Sequence, residues 1–271
     1  MSELAPATLG VVLSRTGAIA RAKLVRPDRG NRLDWPMITA LLAFVRGIAD
    51  DPGVRLLVID GEGADFCTGD CWPDMGAWPE AYRHRLPGGT HGAPPLPLMD
   101  LLSALRALPI PTLAVLQGQV CDAGFDLACH CDIRIAAENA TFEDQRVAHA
   151  RFAATGITYT LPRLIGQSQA TRLLLFGERI SATEAERIGL IYKAVSGPGL
   201  AAATAELVDK LSNMATRSYG VIKEQVREQL DLDYRNALMH SMAVRQTNVF
   251  EDRSEGQRAF IEKRPPRFTG R

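Results

Sequence analysis

"CDAGFDLACHCDIRIAAENATF" (residues 121–142) is the stretch on which the reading of the chain turns. An Asp-Ala-Gly turn opens a short helix whose first turn carries a second carboxylate, Asp126, and a β-rich run over residues 131–136 follows. Asp122 is expected to cap the start of that helix. A carboxylate set inside a mostly apolar helix has two readings. It is stabilised there by the helix dipole as a structural residue, or it faces a site where charge develops.

Working outward, "TLAVLQG" (residues 112–118) reads as a buried strand leading into this turn, and "VRLLVID" (residues 54–60) as another leading into the Gly-rich "GEGADFCTGDC". Upstream, "GAIARAKLVRP" alternates weakly and stops at a proline, as a strand leaving for a loop does. Ile38, Leu41, Leu42, Val45 and Ile48 form the stripe of an amphipathic helix, and Leu98, Leu101, Leu102, Leu105 and Leu108 form a second. Between them, residues 76–97 hold many Gly and Pro together with Trp78, Tyr82, His84 and His91, the composition of a long surface loop. Strand and helix keep alternating to about Ile165, which predicts an α/β fold with much parallel pairing. Beyond Gln167 the pattern is helical apart from "LIYKAV" (residues 190–195). The division expected is an α/β core over residues 1–200 and a helical C-terminal region over residues 201–271.

Bulk properties narrow the partners. The 31 basic and 31 acidic residues cancel, so no global field recruits nucleic acid or an anionic membrane. The N-terminus has neither a basic segment nor a long apolar run, so no signal peptide is expected. No window approaches the roughly 18–20 apolar residues of a membrane span. Five cysteines, odd in number and sparse, suit reduced thiols in a cytoplasm. The "CHC" of Cys129, His130 and Cys131 lacks the spacing of structural zinc sites, and no metal is expected.

Two Gly-containing turns, "FCTGDC" and "VCDAGFD", each follow an apolar strand. A strand running into a helix start leaves peptide N–H groups without intrahelical partners. Two such turns side by side would form a site for a developing oxyanion.

At this point the chain resembles the crotonase family, the enoyl-CoA hydratase/isomerase superfamily. The resemblance runs over nearly the whole chain, through "RPDRGNRL", "GADFCTGD", "LRALPIPTLAVLQGQVCDAGFDLACHCDIRIAAENATF", "LPRLIGQSQATRLLLFGERISATEAERIGLIYKAV" and "EGQRAFIEKRPPRFTG". It implies a spiral of ββα units with a helical C-terminal region that mediates a homotrimer, often doubled to a hexamer. It implies an acyl-CoA substrate, with CoA arriving as part of that substrate and no separate cofactor. The thioester oxygen would lie between two backbone N–H groups, those of Asp70, after Thr68 and Gly69, and of Ala123. Loss of one such donor typically costs about 3–4 kcal/mol of transition-state stabilisation. Lys263 matches a position that helps bind the CoA phosphates, and Arg29 and Arg32 lie near the CoA-contacting turn, where Gly30 replaces an arginine that some members carry.

The chain departs from the family pattern in three places. The donor turn reads Thr68-Gly69-Asp70-Cys71 where Ala-Gly-X-Asp is usual, and an ionised, inward-facing Asp70 would repel an oxyanion. The two glutamates of the hydratases map onto Asp126, a shortened carboxylate, and Arg146, a reversed charge. The usual Pro-Gly beyond that second position reads Ala153-Ala154. Members that shift double bonds in dienoyl thioesters carry an aspartate at the position of Asp126, and on a helix it shares a face with Ala123. Arg146 either pairs internally with Asp126 or Glu143, or holds a substrate carboxylate or stabilises an enolate; beside Asp126 it is expected to lower that residue's pKa. His149 is either a general acid or base or a surface residue.

The leading expectation is an enzyme that stabilises a thioester enolate and moves protons with Asp126, with water addition as the default reaction. The alternatives are a double-bond isomerase, a decarboxylase, a carbon–carbon hydrolase, a CoA-independent hydrolase of a cyclic diketone, and a non-catalytic acyl-CoA-binding protein.

Overall fold

The computed structural model describes residues 2–3, 9–72, 74–77, 79–80, 82 and 96–270. Trp78, His84 and His91 of the expected surface loop lie outside the described residues. Tyr82 of the same stretch is buried and donates its hydroxyl to Asp100 at 2.6 Å.

Seven strands form the main sheet in the order β1 (Ser2–Glu3), β2 (Val11–Thr16), β3 (Ile19–Leu24), β4 (Leu56–Gly61), β5 (Thr112–Leu116), β7 (Ile133–Ala137) and β10 (Lys193–Val195). The first two pairings are antiparallel, and every pairing from β3 onward is parallel. The short strands β6 (Gln119–Cys121), β8 (Thr141–Glu143) and β9 (Ile180–Ser181) make a second sheet. A strand of the large sheet is thus followed by a strand of the small one and then a helix, the winding expected of a crotonase-like spiral.

The apolar runs of the strands are continuous because both faces of the large sheet are covered. Side chains alternate along a strand, so Leu57, Ile59, Ala114, Leu116 and Ala136 face the larger core. That core also takes the apolar stripes of α1 (Trp35–Ala49) and α2 (Pro97–Ala107) and nearly all of α3 (Asp122–Cys129). Leu56, Val58, Leu113, Val115 and Ile135 face the other way, onto Leu207 and Leu211 of α7 (Leu200–Ser212). The helical C-terminal part therefore begins with a helix that completes the sheet. In the chain, α4 (Ile157–Ile165), α5 (Gln167–Phe176) and α6 (Ala182–Arg187) come between β8 and β10, and each adds side chains to the larger core. Among the described residues no helix is long and apolar enough to cross a membrane.

The remaining helices are α8 (Thr216–Glu228), α9 (Tyr234–Thr247) and α10 (Asp252–Glu262). α8 is fastened by a buried ion pair. Lys223 reaches Asp132 Oδ2 at 2.6 Å and the Ile110 carbonyl at 3.2 Å, while the same Asp132 oxygen accepts from the N–H and the hydroxyl of Thr112. Burial pushes the Lys223 pKa down, and Asp132 opposes that shift. Removing one partner of a buried pair leaves the other charge uncompensated, at a typical cost of about 3–5 kcal/mol. Asp132→Ala is accordingly expected to lose about 3 kcal/mol of unfolding free energy in urea denaturation.

Candidate active site

The site is built where two turns are pressed together. The chain bends out of β5 at Gly118, at a φ of +55° where an added Cβ would meet the Ala64 carbonyl at 2.2 Å, and so delivers β6. Val120 of β6 pairs in parallel with Cys67, through Cys67 N–H to Gln119 O at 3.2 Å and Cys121 N–H to Cys67 O at 2.9 Å. α3 then packs against the Cys67 turn at Gly124, where a Cβ would lie 2.5 Å from the Cys67 carbonyl oxygen. The start of α3 also touches the first turn: a Cβ on Gly69, which has a φ of +121°, would be 3.5 Å from Asp122 Cβ.

This placement brings the two expected donors to one locus. Leu33 bridges Asp70 in parallel, giving its N–H to Gly69 O at 3.0 Å and accepting the Cys71 N–H at 2.9 Å. In that register the Asp70 N–H points away from Leu33, and it has no acceptor among the described residues. The Ala123 N–H lies in the first turn of α3, where no intrahelical partner exists. Asp122 is not the helix cap that the sequence suggested; Cys121 occupies that position. Asp122 instead adopts a φ of +44°, and its carboxylate accepts the Gln145 N–H at 2.8 Å. It braces the segment that carries Arg146.

Asp126 is fully buried and clasped by Arg146, with Nη2–Oδ2 at 2.5 Å and Nη1–Oδ1 at 3.3 Å. The same guanidinium reaches Asp144 Oδ2 at 2.9 Å, and Asp144 Oδ1 accepts the Arg146 N–H at 3.1 Å. Arg146 is thus occupied from within, and Glu143, the other partner considered for it, is bound by Arg179 at 2.8 and 2.9 Å. One guanidinium serves two buried carboxylates, with Asp122 nearby. Burial therefore outweighs Arg146 and pushes the Asp126 pKa up to about 6, the reverse of the lowering expected from the arginine alone. The Thr155 hydroxyl, buried without a hydrogen-bond partner among the described residues, is near enough to favour the charged form of Asp126.

His130 braces the backbone of Asp126. Its Nδ1 lies 2.7 Å from the Asp126 carbonyl oxygen, which fixes the proton there and leaves Nε2 to accept from Thr160 Oγ1 at 3.3 Å. Burial lowers its pKa to about 4, so it stays neutral. Its neighbours Cys129 and Cys131 are buried free thiols. His149 is exposed, at the end of the single helical turn that begins with Arg146.

The Asp70 side chain turns to Arg151, with Oδ2–Nη2 at 2.8 Å and Oδ1–Nη1 at 3.3 Å. Beside the two turns opens a polar cavity of about 510 Å3, lined by Asp28, Arg29, Arg32, Thr68, Cys71 and Gln119 among others. Arg29 and Arg32 are exposed there without a carboxylate partner among the described residues and offer guanidinium donors to a phosphate-bearing group, while Asp28 and Asp74 set two carboxylates in the same lining. Gly30 leaves room for no side chain, since Thr68 Oγ1 would lie 2.5 Å from its Cβ and donates to the Gly30 carbonyl at 3.1 Å. Lys263 is exposed at the end of α10 and is not among the described residues that line this cavity. Asp144, Arg151 and Thr155 were not read from the sequence as parts of the site. The Asp-x-Arg spacing of Asp144 and Arg146 was the one local hint.

Comparison with known proteins agrees with this architecture. A family profile described as Enoyl-CoA hydratase/isomerase matches residues 14–271. The (E)-benzylidenesuccinyl-CoA hydratase of Thauera aromatica is 32% identical over 268 residues, which cover 96% of this chain and 99% of that one. The crystal structure of an enoyl-CoA hydratase from Bacillus anthracis superposes with a TM-score of 0.85 at 27% identity, covering 97% of this chain and 100% of that one. An enoyl-CoA hydratase/isomerase from Mycobacterium paratuberculosis gives 0.82 at 30% identity, covering 97% and 98%.

The close seat at Gly124 generates a prediction. Gly124→Ala has to push α3 off the Cys67 turn, and overpacking of this kind typically costs about 1–3 kcal/mol. A loss of that size in chemical denaturation is expected, together with weakened binding of any ligand held between the two turns, read by isothermal titration.

Proposed function

The chain belongs to the enoyl-CoA hydratase/isomerase family, and from that premise we propose that it adds water to an α,β-unsaturated acyl-CoA, using Asp126 as the only proton-carrying carboxylate. The observation that carries the proposal is the pairing of two partnerless peptide N–H groups, of Asp70 and Ala123, with a buried carboxylate one helical turn beyond Ala123. The N–H pair would hold the thioester oxygen and gain strength as the carbonyl becomes an enolate. Thr68, Gly69, Arg29, Arg32 and the polar cavity beside them would receive the CoA moiety, with Lys263 as an outlying contributor to its phosphates.

Hydration with one carboxylate balances if the proton makes a round trip. Asp126 takes a proton from water as the oxygen bonds to C3 of the enoyl group, and electrons move onto the thioester oxygen. The same proton then passes from Asp126 to C2 as the enolate collapses, which leaves the carboxylate unchanged. A pKa near 6 suits both halves of that trip. Arg146 would orient Asp126 and oppose its charge; it is too fully occupied to hold a substrate carboxylate as well. His149 would stay outside the chemistry.

The test is hydration of crotonyl-CoA and of (E)-benzylidenesuccinyl-CoA, the thioester in the name of the Thauera relative, followed by loss of enoyl absorbance. Crotonyl-CoA hydration is expected to be slower than the typical enzyme turnover of about 10 s⁻¹. For the better substrate, kcat/KM should rise with pH through about 6, as the carboxylate ionises, and then level off. Asp126→Asn leaves Arg146 its partner Asp144, so the variant should still fold and bind ligand, at lowered stability, while turnover falls by about 10² or more. Turnover retained in that variant would remove Asp126 from the mechanism.

The same reading includes self-association through the C-terminal helices. Ile222 and Val226 of α8, Leu238, Met239 and Met242 of α9, and Phe260 and Ile261 of α10 are all about half exposed or more. Large apolar side chains left exposed on three successive helices are the kind of surface that oligomer contacts cover. Sedimentation at micromolar concentration is expected to give a homotrimer or hexamer, and a stable monomer would contradict it.

A further inference from the structure

We infer that Arg151 is an electrostatic positioning residue: by pairing with the Asp70 carboxylate, it keeps negative charge from opposing the oxyanion at the Asp70 N–H. The inference rests on the proposed oxyanion site and concerns how this chain tolerates an acidic donor residue. Asp70 is an unfavourable choice on its face, because a carboxylate lies within one residue's length of the place where enolate charge must form. The structure answers that charge in a specific way. The Arg151 guanidinium meets both carboxylate oxygens, at 2.8 and 3.3 Å, with the Asp70 side chain only 11% exposed and that of Arg151 29% exposed. Such two-point pairs fix geometry as well as charge.

The pair is held from both sides. The Trp72 N–H donates to Asp70 Oδ1 at 3.2 Å, and the Arg151 guanidinium lies 5.0 Å from the centre of the Trp72 ring, a cation–π contact. On the other side, the Arg151 N–H donates to the Arg146 carbonyl at 2.8 Å, across a turn in which Ala150 adopts a φ of +52°. One short segment thus delivers two guanidiniums to two carboxylates: Arg146 to Asp126, and Arg151 to the residue that offers the first oxyanion donor. The ground-state thioester is neutral and gains little from Arg151. The enolate carries the charge that an uncompensated Asp70 would repel, so the effect falls on turnover more than on binding.

The experiment is a double-mutant cycle on wild type, Arg151→Ala, Asp70→Asn and Asp70→Asn/Arg151→Ala. Turnover on the better enoyl-CoA is read alongside the absorbance of bound acetoacetyl-CoA, whose enolate is seen directly and needs no catalysis. Arg151→Ala is expected to lower kcat by about 10², the scale of losing one oxyanion donor, with a smaller change in KM, and to lower the bound enolate fraction. The double variant should recover most of both losses, because the carboxylate that Arg151 neutralised is gone. A double variant as impaired as Arg151→Ala, or an Arg151→Ala enzyme like wild type, overturns the inference while the proposed function stands. Failure of wild type to bind acetoacetyl-CoA at all would sink the proposed function and this inference together.

Discussion

The fit of α3 against the Cys67 turn is the constraint from which the site follows. At Gly124 there is no room for even a methyl group, because the Cys67 carbonyl, Cβ and sulfur all lie within 2.8 Å of where a Cβ would stand. That contact, with the parallel bridge between Cys67 and Val120, fixes the distance between two chain reversals that arise from different strands. Each reversal alone is an ordinary strand-to-helix or strand-to-loop connection with a spare peptide N–H. Pressed together, they turn two spare donors into a concentrated dipole, and the large sheet, covered on both faces, supplies the stiffness that keeps them there. Under the proposed function the backbone does this work, so the residue at the first donor position can be an aspartate.

Charge inside the site is arranged by the same economy. Asp126 and Asp144 share Arg146, and Asp122 lies close behind, bound to the Gln145 N–H. Asp126 and Asp144 are buried, and Asp122 is half-buried beside them. Arg146 draws the Asp126 pKa down, but the loss of hydration on burial is the larger effect and Asp144 adds to it, so the proton affinity is raised. A buried acid near neutrality is the kind of group that can both give and take a proton. The reversed charge at Arg146 therefore need not silence the site, because burial outweighs it.

The fold was largely legible in the sequence. The apolar stripes of α1 and α2, the runs that became β4 and β5, and the helices beyond Gln167 lie where the sequence pattern placed them, but the short strand β9 falls in a stretch expected to be helical. The carboxylate in α3 and the two donor turns also stood out, because strand-turn-helix signals are local. What the sequence did not show depends on contacts across the fold. Asp122 looked like a helix cap by its type and position, but a φ of +44° turns it toward Gln145. Arg146 was expected to depress its neighbour's pKa, and the outcome was reversed by burial and by Asp144, neither visible from a residue pair. Arg151 is 81 residues from Asp70 in the chain, and no local pattern links them.

A site with one proton-carrying carboxylate is more constrained than one with two. Two carboxylates can activate water and deliver a proton from different directions, and each may be tuned for its half of the reaction. Under the proposed mechanism, Asp126 must reach the water oxygen's proton and C2 from one place, so the hydroxyl and the proton arrive on the same face of the double bond. The carboxylate must then be held still, since a swing between two positions would lose the alignment that makes a short proton transfer fast. A bidentate clasp by a buried guanidinium is a physical means of holding it. Under the proposed mechanism Arg146 therefore positions the acid, Asp144 fixes the guanidinium from its other side, and the burial of the pair keeps the proton affinity of Asp126 high enough for it to act.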